Sequence, residues 1–419
     1  MKQTEIGMIP DDWEVKNISK NCTIKARIGW QGLKSTEYLK YGNYLLITGT
    51  DFCNGFIEWK SCSYVTEWRF KQDKNIQIKD GDVLITKDGT IGKVAFIPQI
   101  PMEGTLNSGV FVVRAKDKKI IDEVFLSLIF KSFWFDAFLE QITSGSTIVH
   151  LYQKDFVKFN FPLPPTLAEQ QKIAKAFSDV DNVISTLEKL ITKKKNLKQG
   201  TMQQLLTGKK RLPGFASTVV EPGETTKFKQ TEIGEIPEDW EVKTFEELFE
   251  MKAGGDVDKN HFSDSKTHLY KYKIFSNGLE NEGLYGYTNL PKYEGDSITI
   301  TGRGTVGVAM YRKDDFDAVI RLLVLSSKDK IKTDNRFITE QVNLYIKFPN
   351  ESTGVPQLTV PQIKKINLYL PSKPEQTAIA NVLSSMDKEI EALNTKLEKY
   401  RNLKTGMMQQ LLTGKIRLV

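Results

Sequence analysis

The chain has 419 residues, 26% of them charged and 40% hydrophobic, with a formal net charge of +7; this is the composition of a globular protein with room for two or three domains. Cys22, Cys53 and Cys62 form no paired CxxC spacing and His150, His261 and His268 are scattered, which argues against a disulfide frame and against a metal site. No apolar run approaches the roughly 18 residues that span a bilayer, and the first residues lack the apolar core of a secretory signal, so a cytoplasmic protein with no membrane partner is expected.

The chain opens on KQTEIGMIPDDWEVK (residues 2–16), and the same string returns as KQTEIGEIPEDWEVK (229–243). Only Met8/Glu235 and Asp11/Glu238 differ. The offset of 227 residues is too long for a solenoid repeat and fits a whole domain. After the first opening come strand signals NYLLIT, DVLIT, VAFIP and VFVVRA and a helical stretch near Glu123 to Gln141.

Each copy closes on a matched segment, residues 169–212 and 375–418, that includes an identical MQQLLTGK. Apolar residues recur at Ile173, Phe177, Val180, Ile184, Leu187 and Ile191, and at Ile379, Leu383, Met386, Ile390, Leu393 and Leu397. Alternating steps of four and three are a coiled-coil seam. Two long helices follow, beginning after Pro165 and Pro371, with Gly200 and Gly406 expected to kink them or end them early. Either the helices pair, running antiparallel if a two-fold axis relates the copies, or each lies on the surface of its own domain. Residues 213–229, rich in Pro, Gly, Ser and Thr, read as a linker. The second middle section carries strand signals KYKIF, SITIT, VGVAMY and VNLYIKF.

The expected fold is α+β and pseudo-two-fold symmetric. Domains span 1–164 and 229–370, helices occupy 165–212 and 371–419, and 213–228 joins the copies.

A loop recurs in the two middles, TKDGTIGKVAF (86–96) and TGRGTVGVAMY (301–311). Its glycines and the basic Lys87, Lys93 and Arg303 suit backbone N–H contacts to phosphate, or simply a tight β-turn. GRGTVG matches the spacing of a dinucleotide-binding turn, but the residues after it read as a strand where that site requires a helix. PDDWEVK, with Asp11, Glu14 and Lys16, resembles a compressed nuclease motif; a structural segment with Trp13 and Trp240 as buried anchors is the better reading. There is no GxxxxGK[ST] loop, so ATP binding is not supported, and there is no nucleophilic triad.

Tandem IPxD/EW openings, divergent middles, and EQxxIA leading into a long helix resemble the specificity subunit of type I restriction–modification enzymes. RIGWQGLKSTEYLKYGNYLLITGTDF (27–52) is similar to the opening of a target recognition domain of that family. SGSTIVHLYQKDFVKFNFPLPP and STGVPQLTVPQIKKINLYLPS are similar to the exits of two such domains. The resemblance implies two mixed α/β target recognition domains, each reading half of a bipartite double-stranded DNA site, and two helices paired as an antiparallel coiled coil that sets the gap. It also implies two modification subunits using S-adenosylmethionine and two restriction subunits using ATP and Mg, with no cofactor in this chain and no catalysis by it. Candidate DNA contacts are Lys87, Thr90, Lys93 and Thr147 in the first domain and Arg303, Thr305 and Thr353 in the second. Arg303 suits a bidentate pair with guanine or a phosphate contact. Lys193, Lys194 and Lys195 read as a solvated helix face. The competing readings are a coiled-coil adaptor whose domains bind proteins and a nucleotide-dependent enzyme using GRGTVG.

Overall fold

A computed structural model describes residues 1–143, 150–215, 227–232, 234–348 and 357–418. They form two compact units, Met1–Leu187 with Lys396–Val419, and Glu188–Thr395. Each unit therefore combines residues from both copies of the repeat.

In the first unit, Lys2–Thr4 and Gly7–Ile9 make a hairpin, and Glu14–Asn17 pairs antiparallel with Asn160–Leu163. A four-stranded antiparallel sheet has the order Val94–Phe96, Val83–Thr86, Val110–Ala115, Cys22–Ala26. A three-stranded sheet has the order Gly104–Leu106, Tyr44–Ile47, Ser63–Val65, its first pair parallel. Successive side chains of a strand point to opposite faces. Phe111 and Val113 accordingly enter a core shared with the helices Glu123–Ile129 and Phe133–Thr143, while Val110 and Val112 enter the core beneath the three-stranded sheet. Burial on both faces is why VFVV reads as an unbroken apolar run.

The second unit repeats this plan. Its four-stranded sheet has the order Ala309–Arg312, Ser297–Ile300, Leu323–Ser327, Phe249–Ala253, and its three-stranded sheet Phe316–Ala318, Tyr272–Phe275, Leu284–Thr288. Leu323 and Leu325 face one core, and Leu322 and Val324 the other. One strand expectation is corrected. VNLYIKF falls largely in the helix Asn335–Tyr345, whose N-cap Asp334 accepts from the Arg336 N–H and whose Phe337, Ile338 and Val342 are buried. These residues follow helical periodicity, which the alternating apolar residues of the C-terminal half obscured.

The long helices are Leu167–Leu205 and Lys373–Leu411, 39 residues each, roughly 58 Å at 1.5 Å per residue. Both continue through Gly200 and Gly406, so of the kink or early end expected there the early end does not occur. The turn out of each helix comes at Gly208 and Gly414, with φ of 67° and 68°. The helices run antiparallel in both units: Asp181 pairs with Lys404 at 2.6 Å in the first, and Lys194 with Glu389 and Lys198 with Asp387 at 2.6 and 2.7 Å in the second. They also dock on the globular parts. Ile173 and Phe177 share a core with Trp13, Phe161, Leu411 and Leu412; Ile379 and Leu383 share one with Phe245, Leu205 and Leu206. The helices thus do both things the sequence offered as alternatives. Val180, Leu187, Ile191 and Leu397 are buried, whereas Ile184, Met386, Ile390 and Leu393 are half-buried.

A Cβ at Gly208 would collide with Pro237, and one at Gly414 with Pro10; a Cβ at Gly200 meets nothing within 4 Å. Gly208→Ala should therefore lower stability by about 2 kcal/mol or more through positive φ and overlap. Gly200→Ala should raise it by about 0.5–1 kcal/mol. Urea unfolding midpoints of the two variants should move in opposite directions.

Candidate nucleic-acid interface

The repeated motifs build one junction in each unit. Trp13 and Trp240 are fully buried. Beside Trp240, Arg211 donates through Nε and Nη2 to Glu375 at 2.5 and 2.7 Å and through Nη1 and Nη2 to Asp239 at 2.9 Å each. Arg417 makes the same four bonds beside Trp13, to Glu169 and Asp12. Each guanidinium also lies over its tryptophan, 5.9 Å from the Trp240 ring and 5.7 Å from that of Trp13. Burial pushes the Glu375 carboxyl above the ordinary carboxylate range, opposed by its bonds to Arg211. The Arg417 hydrogen bond holds the exposed Asp12 carboxyl low.

The adjacent glutamines do a second job. Gln170 accepts from the Asp122 N–H and donates to the Ile120 carbonyl; Gln376 accepts from the Asp334 N–H and donates to the Lys332 carbonyl. Each thereby fixes the entry to a helix of the variable domain. The EQ pairs, the IPxDW openings and the GKxRL closings are legible in the sequence as repeats. Their meeting at one place is not.

On this frame the two glycine loops have the same backbone. The Thr86 hydroxyl donates to the Thr90 carbonyl and accepts from the Lys93 N–H; the Thr301 hydroxyl donates to the Thr305 carbonyl and accepts from the Val308 N–H. Gly89 and Gly304 both have φ of 69°. The Gly92 and Gly307 N–H groups return to the Thr86 and Thr301 carbonyls. These amides are consumed inside a closed hairpin loop, which favours the turn reading over an amide cradle for phosphate. The strand Ala309–Arg312 follows GRGTVG directly, so the helix required by a dinucleotide site is missing there.

Side chains at matched positions of the loops differ. Thr90, Lys93, Arg303 and Thr305 are exposed. Lys87 is held down, its ammonium 5.7 Å from the Phe111 ring centroid and 3.7 Å from Asp88. The position of Arg303 belongs in the first loop to Asp88, which also pairs with His150. The sequence reading singled out neither Asp88 nor His150; the glycine spacing of the two loops was the signal that could have flagged Asp88. Thr147 and Thr353 lie outside the described residues. Lys194 is used in the helix pair, while Lys193 and Lys195 are exposed. Arg312 was also missed. It is buried 3.5 Å from the Phe275 ring centroid, donates to Thr299, and is lowered to about 10 by burial. It is a structural cation between the sheets.

Among the described residues no group of His, Cys, Asp or Glu is arranged to hold a metal ion, and no helix is long and apolar enough to cross a membrane.

Two mixed α/β domains with matching sheets, each docked on a pair of antiparallel helices, define a two-domain recognition protein. The family of type I restriction modification DNA specificity domains matches residues 10–199 and 237–399, and the chain belongs to it. It is a non-catalytic DNA-specificity subunit, and the protein-adaptor alternative is not supported. The type I restriction enzyme MjaVIII specificity subunit of Methanocaldococcus jannaschii is 29% identical, over 98% of this chain and 94% of that protein. The putative MjaX specificity subunit of the same organism is 30% identical, over 100% of this chain and 96% of that protein. In fold the chain is similar to the type I restriction-modification S subunit from M. genitalium, with a TM-score of 0.64, 16% identity and 98% of each chain covered.

Removing one charge from a buried, multiply bonded pair costs about 3–5 kcal/mol. Glu375→Gln should therefore lower the unfolding free energy by about 3 kcal/mol. An unchanged urea midpoint would show that the pair does not hold the junction.

Proposed function

We propose that residues 1–164 and 229–370 each read one half of an asymmetric bipartite site in double-stranded DNA. The helical segments 165–212 and 371–419 set the unspecified gap, and 213–228 joins the copies. The observation that carries this reading is the pairing of like frames with unlike rims: loops of the same backbone present Asp88 in one domain and Arg303 in the other. A carboxylate accepts from cytosine N4, whereas a guanidinium donates to guanine O6 and N7, so such rims select different half-sites. Thr90, Lys93, Thr147, Thr305 and Thr353 are the further contacts we assign to these surfaces.

In the assembled enzyme, two modification subunits supply S-adenosylmethionine-dependent methylation and two restriction subunits supply translocation and cleavage using ATP and Mg. The complex works in the cytoplasm. This chain contributes selection of the site.

Arg303→Ala should weaken binding of the cognate duplex by the chain–modification-subunit complex by about tenfold, in line with loss of one good side-chain contact. Equal affinities in a gel-shift titration would remove Arg303 from the interface. Inserting one heptad into both long helices should lengthen the gap in the methylated motif while leaving both half-sites intact. Single-molecule sequencing of methylated DNA reads this directly, and an unchanged gap would defeat the measuring role of the helices.

A further inference from the structure

In the second unit, strand Phe316–Ala318 connects to strand Leu323–Ser327 through the turn Val319–Leu322, closed by the Leu322 N–H donating to the Val319 carbonyl at 3.2 Å. Its central residues, Ile320 and Arg321, have φ of 56° and 62°. Positive φ at both centres is a type I′ turn, normally filled by Asn and Gly because other side chains crowd the backbone there. A β-branched residue in that region is an outlier. Such conformations persist where the surroundings over-determine them, and they cluster at functional sites.

Here the surroundings do so with three hydrogen bonds. The Ile320 N–H donates to the Gly255 carbonyl at 2.9 Å, the Arg321 N–H to the Gly254 carbonyl at 3.1 Å, and the Asn277 side-chain amide to the Ile320 carbonyl. The Asn277 carbonyl oxygen in turn accepts from the N–H groups of Gly302 and Arg303 at 2.7 and 3.3 Å. One asparagine thus ties the strained turn to the base of the TGRGTVG loop, placing the backbones of Arg303 and Arg321 on one rim. Both side chains are exposed, and among the described residues neither guanidinium has a hydrogen-bond or ion-pair partner.

The first unit shows that the fold does not require this chemistry. Phe111 pairs with Ile85 as Leu323 pairs with Ile300, which sets Ser108 and Gly109 in the places of Ile320 and Arg321. The matching turn, closed by the Val110 N–H on the Asn107 carbonyl at 3.3 Å, has no positive φ. Its Gly109 lies against Asp88. At matched positions one rim therefore carries a carboxylate beside a glycine, and the other two free guanidinium groups.

We propose that Arg321 is a base-reading residue of the second domain, acting beside Arg303 on a guanine in its half-site; this rests on the DNA-reading function proposed above. A phosphate contact asks only for positive charge, which a lysine on an unstrained turn supplies. A backbone held in an unfavourable conformation suits a guanidinium whose plane must meet the paired O6 and N7 acceptors of guanine.

The test uses the full chain with its modification subunits, and compares wild type, Arg321→Gly and Arg321→Lys by thermal unfolding and by selection from a randomised duplex library. Glycine relieves the positive φ, so Arg321→Gly should unfold at the same or a higher temperature. Its selected motif should keep the first half-site and the gap but lose a guanine preference in the second, with discrimination there falling about tenfold. Arg321→Lys, which keeps the charge but loses the planar fork, should keep overall affinity and show a weakened guanine preference. An unaltered motif in Arg321→Gly would overturn the proposal. So would an equal loss of affinity on all sequences, which marks a phosphate contact. If wild type itself selects no bipartite motif, the DNA-reading function fails and this inference with it; a wild-type motif that survives Arg321→Gly defeats only the inference.

Discussion

Arg211 and Arg417 each end one copy's helical segment and close on carboxylates that belong to the other copy. Four hydrogen bonds per guanidinium satisfy an ion group that would otherwise be expensive to bury. Glu375 is almost wholly enclosed, so this contact tolerates little displacement. Around it pack a tryptophan, a proline and a glycine that has room for no side chain. The rest of each unit is referred to this point: the helix start carries the glutamate, the glutamine beside it fixes a helix of the variable domain, and the opening strand pairs with the last strand before the helix.

Such a junction separates two tasks. The buried, multiply bonded residues are the ones that recur in both copies, because any change there leaves a charge or a cavity uncompensated. The loops at the sheet ends have no such constraint on their side chains. The backbone of the glycine loop is set by one threonine hydroxyl and two positive-φ glycines, all of which recur, while the residue between is Asp88 in one loop and Arg303 in the other. A domain built this way can change what it presents without changing how it is held.

Strain is distributed along the same division. The junctions use glycine wherever φ is positive. In the second unit, Asn281, Glu282, Asp296, Ile320 and Arg321 occupy positive φ without being glycine, all in connections between strands. The conformational cost therefore falls on the connections between strands, most of it on exposed residues.

The repeat, the long helices and the absence of catalytic motifs were legible in the linear chain, because each depends on local spacing: a string that returns, a four–three apolar rhythm, a loop followed by a strand where a helix is needed. The family was legible from the order of those same pieces. VNLYIKF reads as a strand, yet its first four residues end the helix Asn335–Tyr345, because a short stretch of alternating apolar residues fits either period and burial decides between them. The quieting of Lys87 by Phe111 and Asp88, the mixing of the two copies within each unit, and the joining of Arg321 to Arg303 through Asn277 were not legible. Asn277 and Arg321 are separated by more than forty residues of chain, and Arg417 and Asp12 by nearly the whole of it. Sequence spacing determines which side chains share a helix face or a turn; only the closed tertiary structure decides which distant charges, amides and carbonyls come within hydrogen-bonding reach, because those distances are set by packing and not by the chain between them.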